Sequence, residues 1–222
     1  MDRWVVLDVG ETLIDESRIW DIWADLLGIP RLTFMAVLGA AIQRGGQYGR
    51  IFDEFGLDET TWRSRVPEVE DRYGGFQEQD LYADSRRAVD GLAALGYHVG
   101  LVANQPASRT AELRALGFNT EVMAMSDEMG VAKPDPAFFA RVLEMAGQPD
   151  AAQVAYAGDR VDNDVIPSAQ AGMRAVWVRR GPWGRIQQLG TAAPALVVDS
   201  LDELVERIGE AWPAAAPAPA AG

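Results

Sequence analysis

Trp4-Val5-Val6-Leu7-Asp8-Val9-Gly10-Glu11-Thr12 is the stretch on which the fold turns. A short apolar run opens almost at once after Arg3 and ends at Asp8, two residues before a glycine, so a strand is read over Trp4–Asp8. Such a run, bounded by turn residues, predicts a strand buried on both faces of a parallel sheet. The same pattern recurs at His98–Ala103, Glu121–Ala124, Val154–Ala157, Ala175–Val178 and Leu196–Val198. Amphipathic helices are predicted between these runs, around Ser85–Leu95, Ser108–Leu116, Pro136–Ala146, Asn163–Ala171 and Leu201–Ile208. Glycines at 96, 117, 147 and 172 punctuate several of their ends. Alternation of this kind implies an α/β protein with a Rossmann-like parallel sheet and helices on both faces.

One segment breaks the rhythm. From Ser17 to Gln79 no strand is apparent, and helices are predicted over Ser17–Leu27, Leu32–Gln43 and Asp58–Tyr73. We read residues 16–79 as an inserted all-helical cap, and 1–15 with 80–211 as the α/β core. Trp20, Trp23 and Leu27 recur at helical spacing in the insert. Such a stripe is ordinarily core, with a substrate-pocket wall as the sharper alternative. Residues 212–222 are almost all Ala and Pro, and a disordered tail is expected there.

Composition narrows the chemistry. The 222 residues contain no cysteine, which removes disulfides, thiolate metal sites and cysteine nucleophiles. The only histidine, His98, precedes an apolar run and reads as a strand-edge residue, so histidine triads and multi-histidine metal sites are excluded. A net charge of −13 argues against nucleic acid and anionic membrane as partners. No apolar run approaches membrane-spanning length, and a cytoplasmic protein, monomer or homodimer, is expected.

Of the 20 basic residues only Lys133 is a lysine; the others are arginines. It sits in Gly130-Val-Ala-Lys-Pro-Asp-Pro136, where a compact ammonium differs from arginine's planar fork. Ligands of an open parallel sheet bind beyond the carboxyl ends of its strands. Those ends carry Asp8-Val9-Gly10-Glu11-Thr12, Ala103-Asn104, Lys133 and Gly158-Asp159-Arg160-Val161-Asp162-Asn163-Asp164. Asp8, Asp159 and Asp164 would thus converge on one lysine. Crowded carboxylates of this kind suit a hard divalent cation such as Mg²⁺.

In the order and spacing of these motifs the chain resembles the haloacid dehalogenase superfamily, most of whose members are Mg²⁺-dependent phosphatases. The insert resembles the small cap of the subclass that places it after the first motif. The resemblance implies Asp8 as a nucleophile forming an aspartyl-phosphate, with Lys133 pairing Asp8 and the phosphoryl group. It also implies a Mg²⁺ held by Asp8, the Gly10 carbonyl and Asp159, supported by Asp164. Thr12, Asn104 and Lys133 are the candidate substrate-binding residues, and the substrate would be a small phosphorylated or acyl-phosphate compound.

Two departures stand out. Phosphatases of the family carry a second aspartate two residues after the nucleophile, as general acid and base, where this chain has Gly10. Their second motif ends in Ser or Thr, where this chain has Ala103. General acid–base catalysis supplies ~10²–10⁴-fold in rate, about 3–5 kcal/mol of barrier. The expected activity therefore favours acyl and aryl phosphates over alkyl phosphates, with Glu11 the candidate to compensate. The alternatives are a catalytically silent relative that binds a phosphorylated metabolite or a protein, and a haloacid dehalogenase, which the acidic cluster disfavours. Phosphonate cleavage through a cap lysine is excluded, because the insert has none. Arg179 to Gly184 is expected to be a surface loop anchored by Trp183, with a substrate contact as its alternative.

Overall fold

In the computed structural model, which describes residues 2–45 and 48–212, six parallel strands form one sheet. The chain enters it at β1 (Trp4–Leu7) and leaves through three cap helices, α1 (Ser17–Leu27), α2 (Arg31–Gln43) and α3 (Glu59–Tyr73). It returns through α4 (Ser85–Ala94), β2 (His98–Ala103), α5 (Ser108–Ala115) and β3 (Val122–Met125). After α6 (Ser126–Met129) and α7 (Pro136–Met145) come β4 (Val154–Gly158), α8 (Ile166–Gln170) and β5 (Arg174–Val178). The chain then forms α9 (Gly181–Ile186), β6 (Leu196–Val198) and α10 (Leu201–Arg207). A 3₁₀ stretch, Tyr48–Phe55, joins α2 to α3.

The spatial order is β3-β2-β1-β4-β5-β6. The chain winds outward from β1, then crosses back to place β4 on the other side of β1, with Leu7 opposite both Leu101 and Ala157. A sheet wound this way opens a crevice at the carboxyl ends of the strands where the order reverses. That point lies between β1 and β4, and Asp8 and Asp159 each follow one of them.

Strand alternation sorts the core into two layers. Val5, Leu7, Val99, Leu101, Ala155 and Ala157 face α4 and α10, while Trp4, Val6, Val102, Val154 and Tyr156 face Phe138 and Phe139 of α7. The cap has its own aromatic cluster, in which Phe52 lies between Trp23 (ring centroids 4.5 Å apart) and Trp62 (5.0 Å). Trp20 and Trp23 are buried there, so the tryptophan stripe is core. Asp58 caps α3 by accepting from the Thr61 N–H at 2.8 Å. Gly74, with φ of 63°, ends it in a left-handed turn that favours glycine.

Cap and core are tied at two places. The Arg18 guanidinium grips Asp80 at 2.8 and 2.5 Å and donates to the Gly75 and Tyr73 carbonyls, linking the start of the cap to its end. Trp183 from α9 joins the cap cluster beside Trp20. Among the described residues no single helix is long and apolar enough to cross a membrane, and the α1–α2 pair is bent by 113°.

Three expectations are corrected. The helix expected over Asn163–Ala171 is a π turn, Val161–Val165, followed by the shorter α8, whose start carries Pro167. Residues 181–184 open the short helix α9 rather than a surface loop, with Trp183 buried as its anchor; Arg180, just ahead of the helix, is buried and paired with Asp84. Trp212 belongs to the core rather than a tail: it stacks on Tyr97 and its indole N–H donates to the Ala152 carbonyl at 2.7 Å. The rest of the expected disordered tail, 213–222, lies outside the described residues.

Candidate active site

Lys133 stands at the centre of the crevice. Its Nζ lies 2.7 Å from Asp8 Oδ1 and 2.7 Å from Asp164 Oδ1, over the rings of Tyr156 and Phe138. Burial pulls the ammonium's pKa down, but Asp164 and Asp8 more than offset it and hold it well above the usual lysine value. Burial pushes Asp8 up to about 6 against the pull of Lys133, with Asp164 adding to the rise.

The loop after β4 is shaped around Asp164. Its Oδ2 accepts from the Arg160 N–H at 2.9 Å, and the π turn closes through the Arg160 carbonyl. Gly158 makes the approach possible, because a Cβ there would collide with the Asp164 carboxylate. Asp164 thus has one oxygen on the lysine and one on the loop backbone.

Asp159 differs. Ligand oxygens of Asp8, Asp159 and Asp164 lie within 4.8 Å of one another, and Asp159 Oδ2 is buried with no hydrogen-bond partner among the described residues. Burial, then Asp164 and Asp8, push its pKa well above the usual carboxylate range. A buried carboxylate oxygen without a donor, beside two more carboxylates, is an all-oxygen donor set that fits a hard cation such as Mg²⁺. Gly10 lines the cavity beside this set.

The other expected residues take different tasks. Asn104 lines the cavity, yet its side chain holds the Lys133 backbone, with Nδ2 donating to the carbonyl and Oδ1 accepting from the N–H. Thr12 is fully buried and is not among the residues that line the cavity. Its hydroxyl has no partner among the described residues; the backbone does the local work, the N–H donating to the Val9 carbonyl and the Thr12 carbonyl accepting from Arg180. Ala103 packs into the core layer.

Glu11 adopts a left-handed φ of 50°, unusual for a residue with a side chain. Its carboxylate accepts from the Tyr82 hydroxyl at 2.6 Å and from the Glu16 N–H at 3.1 Å. Burial, with the Glu16 charge second, pushes it up to about 8.

Glu16, just ahead of α1, is a site residue that the sequence reading did not single out. Its carboxylate lies against Gly10 and accepts from Gln105 Nε2 at 2.9 Å. Burial pushes Glu16 up to about 7, against the pull of that donor. Both residues line a cavity of about 810 Å³ between cap and core, shared with Asp8, Lys133, Asp159 and Arg160. Ile19, Trp62 and Val66 supply apolar wall from the cap, and Arg50 and Arg63 supply charge. No periodicity marks Gln105 or Glu16, since their roles arise only when the first loop folds back on the end of β2.

The chain matches the haloacid dehalogenase-like hydrolase family over residues 3–172. It is 32% identical over 136 residues to haloacid dehalogenase-like hydrolase domain-containing protein 3 of Danio rerio, covering 60% of this chain and 55% of that one. To the phosphoglycolate phosphatase of Pseudomonas savastanoi pv. phaseolicola it is 30% identical over 218 residues, 92% of this chain and 79% of that one. The matched stretches thus span about half of the Danio rerio relative and more of the bacterial one. Its fold is shared with L-2-haloacid dehalogenase from Xanthobacter autotrophicus, with a TM-score of 0.68 at 18% identity, covering 94% of this chain and 98% of that one.

Proposed function

Since the chain belongs to the haloacid dehalogenase-like hydrolases, we propose that it is a Mg²⁺-dependent phosphatase or phosphotransferase acting through Asp8 on a small phosphorylated or acyl-phosphate substrate. The observation that carries this reading is the buried trio of carboxylates, two of them paired with one ammonium and the third, Asp159, with its Oδ2 lacking a donor among the described residues. The fold alone does not choose, because a dehalogenase shares it. Attack on carbon with loss of halide needs no cation, whereas phosphoryl transfer gains from one, and the acidic set favours phosphorus. Relatives named as phosphoglycolate and glyceraldehyde 3-phosphate phosphatases support a small phosphate ester.

The geometry supports the following roles. Lys133 keeps Asp8 ionised, and Asp164 and Asn104 hold Lys133 in place. An Asp8 oxygen attacks phosphorus, the bond from phosphorus to the leaving oxygen breaks, and Asp8 carries the phosphoryl group. Water then attacks phosphorus, freeing phosphate and restoring Asp8. Asp8, Asp159 and the Gly10 carbonyl would hold the Mg²⁺, with Asp164 behind them; when bound it supplies charge stabilisation to the transferring phosphoryl group.

Acetyl phosphate and an aryl phosphate, each with and without Mg²⁺, test this against a 2-haloacid. Phosphate release that requires Mg²⁺ and falls in Asp159→Asn supports the reading. Halide release without Mg²⁺, or Mg²⁺ binding without turnover of any phosphate, overturns it in favour of a dehalogenase or a silent binding protein.

A further inference from the structure

Gly10 has no side chain to project into the site, yet the space beside it is filled. A Cβ built on Gly10 would stand 2.5 Å from Glu16 Oε1 and 2.9 Å from Glu16 Cδ, far inside contact distance. A carboxyl group six residues along the chain therefore occupies the volume that a side chain at position 10 would take. The fit is reciprocal: with Glu16 where it is, only glycine is accommodated without displacing it.

Glu16 is held at two points, one on its carboxylate and one on its backbone. Gln105 Nε2, just beyond β2, donates to Oε1 at 2.9 Å, and the Glu16 backbone N–H is anchored on Glu11 Oε1 at 3.1 Å. Glu11 is in turn fixed by the Tyr82 hydroxyl. Glu16 lines the same cavity as Asp8 and Lys133.

We propose that Glu16 is the general acid and base of this enzyme, delivered over Gly10 from the start of the cap, with Gln105 and Glu11 as its positioning residues. This rests on the reading of the site as a phosphoryl-transfer centre. In the first step the Glu16 carboxyl gives its proton to the leaving alkoxide oxygen as the bond from phosphorus to that oxygen breaks, and becomes a carboxylate. In the second step that carboxylate takes a proton from water as the water oxygen bonds to phosphorus. The bond from phosphorus to the Asp8 oxygen breaks, inorganic phosphate leaves, and Glu16 is again protonated. Turnover of alkyl phosphates, which need a proton on the leaving oxygen, is then open to this chain despite Gly10.

The test compares wild type, Glu16→Gln, Glu16→Ala and the double variant Glu16→Ala with Gly10→Asp, all with Mg²⁺. Glu16→Gln keeps the size of the side chain and the oxygen that accepts from Gln105. Its kcat on an alkyl phosphate is expected to fall by ~10²–10⁴-fold. Labelling of Asp8 by acetyl phosphate, whose leaving acetate needs no proton, is expected to persist, with slower loss of the label. In the double variant the freed space admits an acid from position 10, and alkyl turnover is expected to recover over Glu16→Ala. A residue with a purely structural role would not be rescued in this way. Alkyl turnover in Glu16→Gln equal to wild type, with the label decaying as fast, overturns the assignment. Absence of any label in wild type instead overturns the phosphoryl-transfer reading beneath it.

Discussion

Asn104 grips the backbone of Lys133 with both ends of its amide, Nδ2 donating to the carbonyl at 2.9 Å and Oδ1 accepting from the N–H at 2.8 Å. The first residue after β2 thus fixes the residue that carries the only ammonium among the chain's side chains. Asn104→Ala removes both hydrogen bonds. Each is worth about 0.5–1.5 kcal/mol, so a loss of about 1–3 kcal/mol in urea unfolding is expected, together with a lower kcat on an aryl phosphate. An unchanged kcat in a destabilised protein would separate folding from positioning.

Lys133 is the sole counter-charge within 4 Å of Asp8 among the described residues. Lys133→Met leaves the buried Asp8 and Asp164 carboxylates unpaired and should cost about 3–5 kcal/mol of stability in urea. Lys133→Arg is not expected to rescue it. A planar fork does not fit the point between two carboxylate oxygens over the Tyr156 and Phe138 rings. Full stability and turnover in Lys133→Arg would contradict this.

His98 sits between two carboxylates, its Nδ1 2.7 Å from Glu121 and its Nε2 2.7 Å from Asp2. The Glu121 hydrogen bond, then that of Asp2, hold its pKa above the ordinary value of 6.5. A raised pKa means that the folded state binds the proton more tightly. The stabilisation is therefore fully present below 6.5 and is lost as pH rises through the raised value. As the only histidine, it gives a single imidazole titration by NMR, expected above that of Glu121→Gln. His98→Gln should flatten the pH dependence of unfolding over the same window.

Trp212 closes the far side of the core layer, stacked on Tyr97 and bonded to Ala152. Trp212→Ala is expected to cost about 3–5 kcal/mol, measured by thermal or urea unfolding. A change within error would show that the indole contributes little to the fold.

The sheet was legible in the sequence because its strands are buried on both faces and so appear as uninterrupted apolar runs, Val154 to Ala157 among them. The meeting of Asp8, Lys133, Asp159 and Asp164 was legible for a related reason: a parallel sheet brings its strand ends to one edge, wherever they lie along the chain. What escaped depends on close tertiary approach. Trp212 looked like the first residue of an Ala/Pro stretch, and only its pocket between Tyr97 and Ala152 marks it as core. The placement of Glu16 over Gly10 also escaped, because nothing in a linear pattern shows it folding back there. Of the expected substrate-binding residues, Asn104 lines the cavity with its amide on the Lys133 backbone and Thr12 is buried behind it, a division that only the folded loops reveal.

The central claim is that Asp8 becomes phosphorylated. Intact-protein mass spectrometry after exposure to acetyl phosphate and Mg²⁺, quenched in acid, tests it most directly. The account predicts one phosphoryl adduct, mapped to the peptide containing Asp8 and absent from Asp8→Asn. No adduct in wild type, or an adduct of equal yield in Asp8→Asn, would contradict it.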